Sequence, residues 1–329
     1  MRSTKTLLRL CALLLCAAMC TLALFSCGGN DKDNAKFGIV SMVENGAFTD
    51  MKAGIIQGLA DAGYVDGENC TIDYQCAGGD AGTLATIVNS MNDGTYTAVF
   101  CIATPTTQAF VNLSSNTPCF FCAVSAPLAA GVVSDLSKPD KNTTGTSNAI
   151  PVEDILSLAL AVDAGLSKVG LISSGTEANA TNTIAEFKAA LDAKNIAYYE
   201  VFAQNSAEVS TAAAALVDAG CDAVFVPNDS IVQAGVTALA DICNEAGVPT
   251  YCSSATTVDS GCFAAIAIDD VDIGKLTASM CVEYLNGKAL TDISVIVCDI
   301  NYCAVYVSAS AQSKLGITLP AGYEAVTRK

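Results

Sequence analysis

Hydroxyls, amides and carboxylates recur in this chain at one kind of place, just after a short apolar run. Glu44 follows Phe37–Ser41, Thr104 follows Ala98–Ile102, and Ser125 follows Pro118–Val124. Glu177 follows Lys168–Ser173, Asn228 and Asp229 follow Ala223–Val226, and Asp269 follows Ala264–Ile268. Such residues do two kinds of chemistry. They cap helix N-termini, and the same N-termini aim free N–H groups at an anion. For any single position both readings stay open. Together they describe a place for a zwitterion, with hydroxyls and N–H groups on its carboxylate and Asp229, Asp269 or Glu44 on its ammonium. Phe48 and Phe120 are candidates for apolar surface beside it, Phe120 more readily for a core.

Composition narrows the chemistry. Among 329 residues there is no His and no Trp, and the only arginines are Arg2, Arg9 and Arg328. Bidentate clamping of carboxylate or phosphate by Arg is therefore not expected in the folded body. His-dependent triads and His-containing zinc sites are excluded. No Gly-x-Gly-x-x-Gly or Walker pattern follows a strand, so no nucleotide cofactor and no enzymatic reaction is expected. The net charge is −17 overall and −20 once the basic leader (Arg2, Lys5, Arg9) is removed. Such a surface repels nucleic acid.

The leader has its own pattern. A basic start, an apolar run from Leu10 and a small residue before Cys27 (Leu24-Phe25-Ser26-Cys27) describe a secretory signal of the bacterial lipoprotein kind. Cys27 then becomes the lipidated first mature residue. An uncleaved transmembrane anchor is the alternative. Of the 16 Cys, those at 11, 16 and 20 leave with the signal and Cys27 takes the lipid, leaving twelve. Several sit in apolar strand-like runs, where free Cys packs as a small hydrophobe. One or two disulfides are the alternative, and metal binding is not expected.

The elements that must position the polar residues follow an alternating pattern. Apolar runs of strand length are separated by segments with helical spacing, such as Phe48–Ala62 with Met51, Ile55 and Leu59. This predicts parallel sheets covered by helices on both faces. The pattern then repeats. Lys36-Phe-Gly-Ile-Val-Ser41 is echoed by Lys168-Val-Gly-Leu-Ile-Ser173, and Ala98-Val-Phe100 by Ala223-Val-Phe225. The expectation is an α/β protein of two Rossmann-like lobes. Residues 1–26 are the signal and 27–35 a flexible tether. Lobe 1 takes 36–147 with about 270–290, and lobe 2 takes 148–269 with about 291–329. Ligands of open parallel sheets bind beyond the carboxyl ends of the strands, where the polar residues lie.

At this point the chain resembles the tryptophan/tyrosine-type substrate-binding lipoproteins of ABC importers. The resemblance spans about residues 36–318. Its carriers include Gly58-Leu-Ala-Asp-Ala-Gly-Tyr-Val-Asp-Gly-Glu-Asn, Ile102-Ala-Thr-Pro-Thr-Thr-Gln-Ala, Asn142-Thr-Thr-Gly-Thr-Ser and Val226-Pro-Asn-Asp. It implies the type I periplasmic-binding-protein fold with three hinge crossovers. It also implies a ligand cleft formed by the loops at Glu44, Thr104, Ser125, Asn148, Glu177, Asn228, Asp229 and Asp269. Two positions depart from the family pattern: Ala126 replaces the usual Asp before Pro127, and Asn45-Gly46 replaces the His-Pro that often follows Glu44. The expected function is capture of a small solute, an amino acid or similar zwitterion, by a lipid-anchored monomer. The expected partners are an ABC permease and its ATPase. A ligand-sensing surface protein of the same fold is the alternative.

Overall fold

The computed structural model describes residues 35–114 and 116–328, so Cys27 and the leader lie outside the described residues. The first half runs β1 (Ala35–Ser41), α1 (Gly46–Asp61), β2 (Cys70–Cys76), α2 (Ala81–Met91), β3 (Ala98–Ile102), α3 (Ala103–Val111), β4 (Cys119–Cys122) and β5 (Thr143–Asn148). The second repeats the alternation as α4 (Val152–Val162), β6 (Lys168–Ser173), α5 (Ala178–Ala193), β7 (Ala197–Phe202), α6 (Val209–Asp218), β8 (Ala223–Val226) and α7 (Ser230–Ala234). It continues with α8 (Val236–Glu245), β9 (Thr250–Cys252), α9 (Ala255–Asp259) and β10 (Ala264–Ala267). The chain ends with α10 (Asp270–Leu285), β11 (Ile296–Cys298), β12 (Ala304–Ser308), α11 (Ala309–Leu315) and β13 (Ala325–Arg328).

Two sheets result. The first has the order β11-β5-β4-β3-β1-β2, and every pairing in it is parallel. The second has the order β13-β12-β10-β9-β8-β6-β7 and is parallel except where β10 meets β12. Central strands such as β3 and β8 are buried along their whole length, because helices cover both faces. The chain passes between the sheets after β5, after β10 and after β11. This is the three-crossover, two-lobed architecture implied by the resemblance. The strand Ile296–Cys298 joins the first sheet beside β5. The return segment of lobe 1 therefore runs to 298, past the 290 expected from sequence. Three residues carry too little periodicity to reveal which sheet they enter.

Aromatic and aliphatic side chains fill the lobes. Phe120, a candidate for the cleft, is fully buried, packed between Phe100 at 5.9 Å and Tyr284 at 6.0 Å between ring centroids. All twelve described cysteines are free, ten of them buried. Burial pushes the Cys122, Cys243 and Cys298 thiols up to about 12, so they behave as small apolar groups rather than nucleophiles. Arg328 does enter the folded body. It ends β13, lies 3.2 Å from Asp259 and 3.6 Å from Asp269, and covers the Tyr306 ring. Among the described residues no helix is long and apolar enough to cross a membrane.

The first hinge helix, α10, lies against α1 at a crossing that admits no side chain. A Cβ at Gly54 would sit 2.1 Å from the Val271 carbonyl oxygen, and one at Gly274 would sit 2.3 Å from that of Met51. The obstructing atoms are backbone, so relief requires the helices to separate. Overpacking of this kind costs about 1–3 kcal/mol. Gly274→Ala is expected to lower the melting temperature by several degrees, read by differential scanning calorimetry.

Candidate functional site

The strand tips of the two sheets face each other across a narrow cavity with about 20 Å³ of free space. Lobe 1 contributes Ala47, Phe48 and Met51 from α1, Ala103 after β3, Ala123 and Ser125 after β4, and Asn148 at the end of β5. Lobe 2 contributes Glu177, Asn179, Asn228, Ser230, Gln233 and Ser254, and Asp270 opens α10 at the hinge. One wall is therefore mainly apolar and the other polar and acidic. No lining residue is Lys, Arg or His.

Local structure explains these positions. Ala103 and Ala123 leave their strands in the left-handed region, at φ 68° and 61°. Each non-glycine residue held there costs on the order of 1 kcal/mol, and each places a small side chain on the cavity wall. Asn45 caps α1, its Oδ1 accepting from Phe48 N at 2.8 Å. Its Nδ2 donates across the cleft to Gln233 Oε1 at 3.3 Å, so the two lobes touch at this point. Behind the polar wall, Asn228 Oδ1 accepts from Gln233 Nε2 at 3.1 Å and from Ser253 Oγ at 2.9 Å. The Asn228 carbonyl oxygen accepts from Asn179 Nδ2. On the other side Ser125 Oγ donates to Asn148 Oδ1 at 3.0 Å.

Of the eight cleft positions expected from sequence, Ser125, Asn148, Glu177 and Asn228 line the cavity, and the other four do not. Asp229 is fully buried and its carboxylate is used internally. It accepts from Ser174 N and Oγ, both at 2.7 Å, and from Ile231 N and Val232 N at 3.0 and 3.2 Å. Asp269 caps α10 through Val271 N at 2.9 Å and faces Arg328. Glu44 is exposed and accepts from Tyr74 Oη at 2.5 Å. Thr104 is buried beside Ala103, behind the wall. Capping and burial thus claim the acids that the sequence offered to an ammonium.

Two other acids face the cavity. Glu177 accepts from Ser230 N at 3.2 and 3.3 Å through its two oxygens. Burial, with the nearby carboxylate of Asp229, pushes its carboxyl up to about 7. Asp270 is held only by Ser254 Oγ at 3.5 Å and Thr256 Oγ1 at 3.3 Å. Burial, helped by Asp269 and Asp50 and opposed by Thr256 and Arg328, pushes it up to about 8. A carboxyl raised on folding binds its proton more tightly in the native state, so stability falls as pH rises from the unfolded to the folded value. The ligand-free protein is expected to lose melting temperature between about pH 4 and pH 8 on this account, with Asp270→Asn flattening the profile. Melting scans across pH check it.

Asp270, Gln233, Ser254, Ala103 and Ala123 line the cavity without having been singled out from sequence as site residues. Asp270 was signalled by its neighbour, since in an Asp-Asp pair at a helix start only one can cap. No pattern marks an alanine that turns left-handed.

Comparison with known proteins adds to this geometry. Residues 36–326 match the family described as ABC transporter substrate binding protein. The chain is 28% identical over 304 residues to a tyrosine-binding protein of Clostridioides difficile strain R20291, covering 88% of each. It superposes with a TM-score of 0.84 on the ABC domain of a Streptococcus pneumonia protein in complex with L-Trp, at 27% identity, over 90% of this chain and all of that one. Against the ligand-free, open structure of a substrate binding protein with adhesive properties from Clostridium difficile the TM-score is 0.67, at 28% identity and the same coverage.

Proposed function

The chain belongs to the ABC transporter substrate binding proteins, a family that binds its ligand without transforming it, and from that premise we propose that it captures a free aromatic amino acid, tyrosine or tryptophan, outside the cytoplasm. Cys27 carries the lipid that holds it at the membrane. The monomer delivers its ligand to an ABC permease driven by its ATPase.

The observation that carries this reading is the two-sided cavity. Phe48 and Met51 offer an apolar surface to a ring, while Glu177 and Asp270 offer acceptors to an ammonium. The relatives support the ligand class, one being named for tyrosine and another holding L-Trp.

Closure is the working motion. At matched identity and coverage the chain superposes better on the Trp complex than on the open, ligand-free relative. That difference supports a closed arrangement of the lobes. Hinged lobes move as bodies about a few crossing residues, and a ligand touching both lobes shifts the population toward the closed form.

A thermal-shift panel of amino acids, nucleosides and sugars tests the proposal. Ligand at 100 times its Kd adds about 2.7 kcal/mol, which raises the melting temperature by roughly 5–10 °C. Tyrosine or tryptophan should produce that shift. A shift with a sugar or nucleoside and none with an aromatic amino acid would refute it. Loss of fatty-acid labelling in Cys27→Ser checks the anchor.

A further inference from the structure

The hydrogen-bonding capacity left open around the cavity is lopsided. Glu177 and Asp270 are acceptors that meet only neutral hydroxyl, amide or backbone donors. Asn179, also on the wall and 5% exposed, has a buried Oδ1 with no partner. Its Nδ2 is already turned to the Asn228 carbonyl oxygen. Two carboxyls therefore line the cavity underused, with the unpartnered Asn179 Oδ1 buried beside them, and a primary ammonium brings three N–H donors and a positive charge.

Provision for a carboxylate is weak by comparison. No cationic side chain lines the cavity. Phe48 N, a donor of the α1 N-terminus on the wall, is already taken by Asn45 Oδ1. Ser125 Oγ, Gln233 Nε2 and Ser230 N are turned to protein acceptors. Other donors on the wall are neutral amide and hydroxyl groups and the backbone N–H groups that open α3 and α5, neither of which has a side-chain cap. A carboxylate placed there also competes with the ionised forms of Glu177 and Asp270, which burial already disfavours, in a site where charges are poorly screened.

We propose that the site selects its ligand by a primary ammonium on an apolar body and does not require a carboxylate, so that aromatic monoamines bind it as well as the amino acids do. This rests on the binding site assigned above and deepens it. It widens the ligand class to amines that arise from aromatic amino acids by loss of the carboxyl group.

Titration calorimetry of the mature protein with tyrosine, tryptophan, tyramine, tryptamine and the two corresponding deaminated acids decides it. The expected result is an amine binding within tenfold of its amino acid, or more tightly, and a deaminated acid at least a hundredfold weaker than that amine. Amines more than tenfold weaker than the amino acids overturn the inference and leave the amino acid reading intact. Deaminated acids that bind as well as the amines also overturn it. Binding of amines alone upholds the inference and removes the amino acid reading. Binding of none of the six removes both.

Discussion

Glu177→Gln and Asp270→Asn should each weaken the binding of an aromatic amino acid by about 100-fold or more while leaving the fold intact. Both carboxyls face a cavity that holds no other charge of either sign. Removing one partner of a buried ion pair costs about 3–5 kcal/mol, and every 1.4 kcal/mol is about tenfold in Kd. The amide isosteres keep the volume and an acceptor oxygen, so the loss reports charge rather than shape. Stability should move the other way. Folding raises the Glu177 carboxyl to about 7 and the Asp270 carboxyl to about 8. Their contribution is present at acid pH and is lost as pH rises through those values. At pH 8 each variant without ligand should therefore melt no lower than the parent, and Asp270→Asn higher. Calorimetric titration and melting on the same samples give both signs. An Asp270→Asn protein that binds tyrosine or tryptophan as tightly as the parent would remove Asp270 from the site.

Asp229→Ala should act on stability. The side chain is fully buried and joins two strand tips. One oxygen accepts from the backbone and hydroxyl of Ser174 after β6, and the other caps α7 through Ile231 and Val232. Hydrogen bonds to a charged group contribute about 1.5–3 kcal/mol each, and loss of an N-cap costs about 1 kcal/mol more. With the buried donors left unmet, the variant should lose about 3–5 kcal/mol and melt roughly 10 °C lower. Asp229→Asn should fall between. Chemical denaturation and melting measure it. An alanine variant that melts with the parent yet no longer binds ligand would return Asp229 to the binding surface.

The two acid pairs show where sequence reasoning succeeded and where it stopped. Asn228, Asp229 and Asp269 were legible as strand-tip polar residues ahead of helices, and Asp270 adjoins the last of them. Which member of each pair faces the cavity was not legible. In the first pair the leading residue lines the cavity and the second caps; in the second pair the order is reversed. The choice depends on how each strand enters its helix, and both arrangements suit the same residue types. Ser125, Asn148 and Glu177 were placed by the strand-end rule or the family resemblance and do line the cavity. Glu44 obeys the rule too, but Tyr74 of the neighbouring strand holds it at the exposed rim.

The linear order of residues was enough to determine the alternation of strands and helices, the duplication, the acidic and arginine-poor chemistry, and the end of each sheet where a ligand sits. These properties live in consecutive residues, through periodicity and composition, and need no knowledge of distant contacts. Tertiary structure decided which carboxyls are spent on helix N-termini, which stay free, and that the apolar side chains of α1 meet the carboxyls of 177 and 270 at one cavity. Those outcomes follow from the direction in which side chains far apart in sequence point once two lobes have packed. Direction across a cleft is set by backbone turns such as those at Ala103 and Ala123, for which the side chain carries no signal.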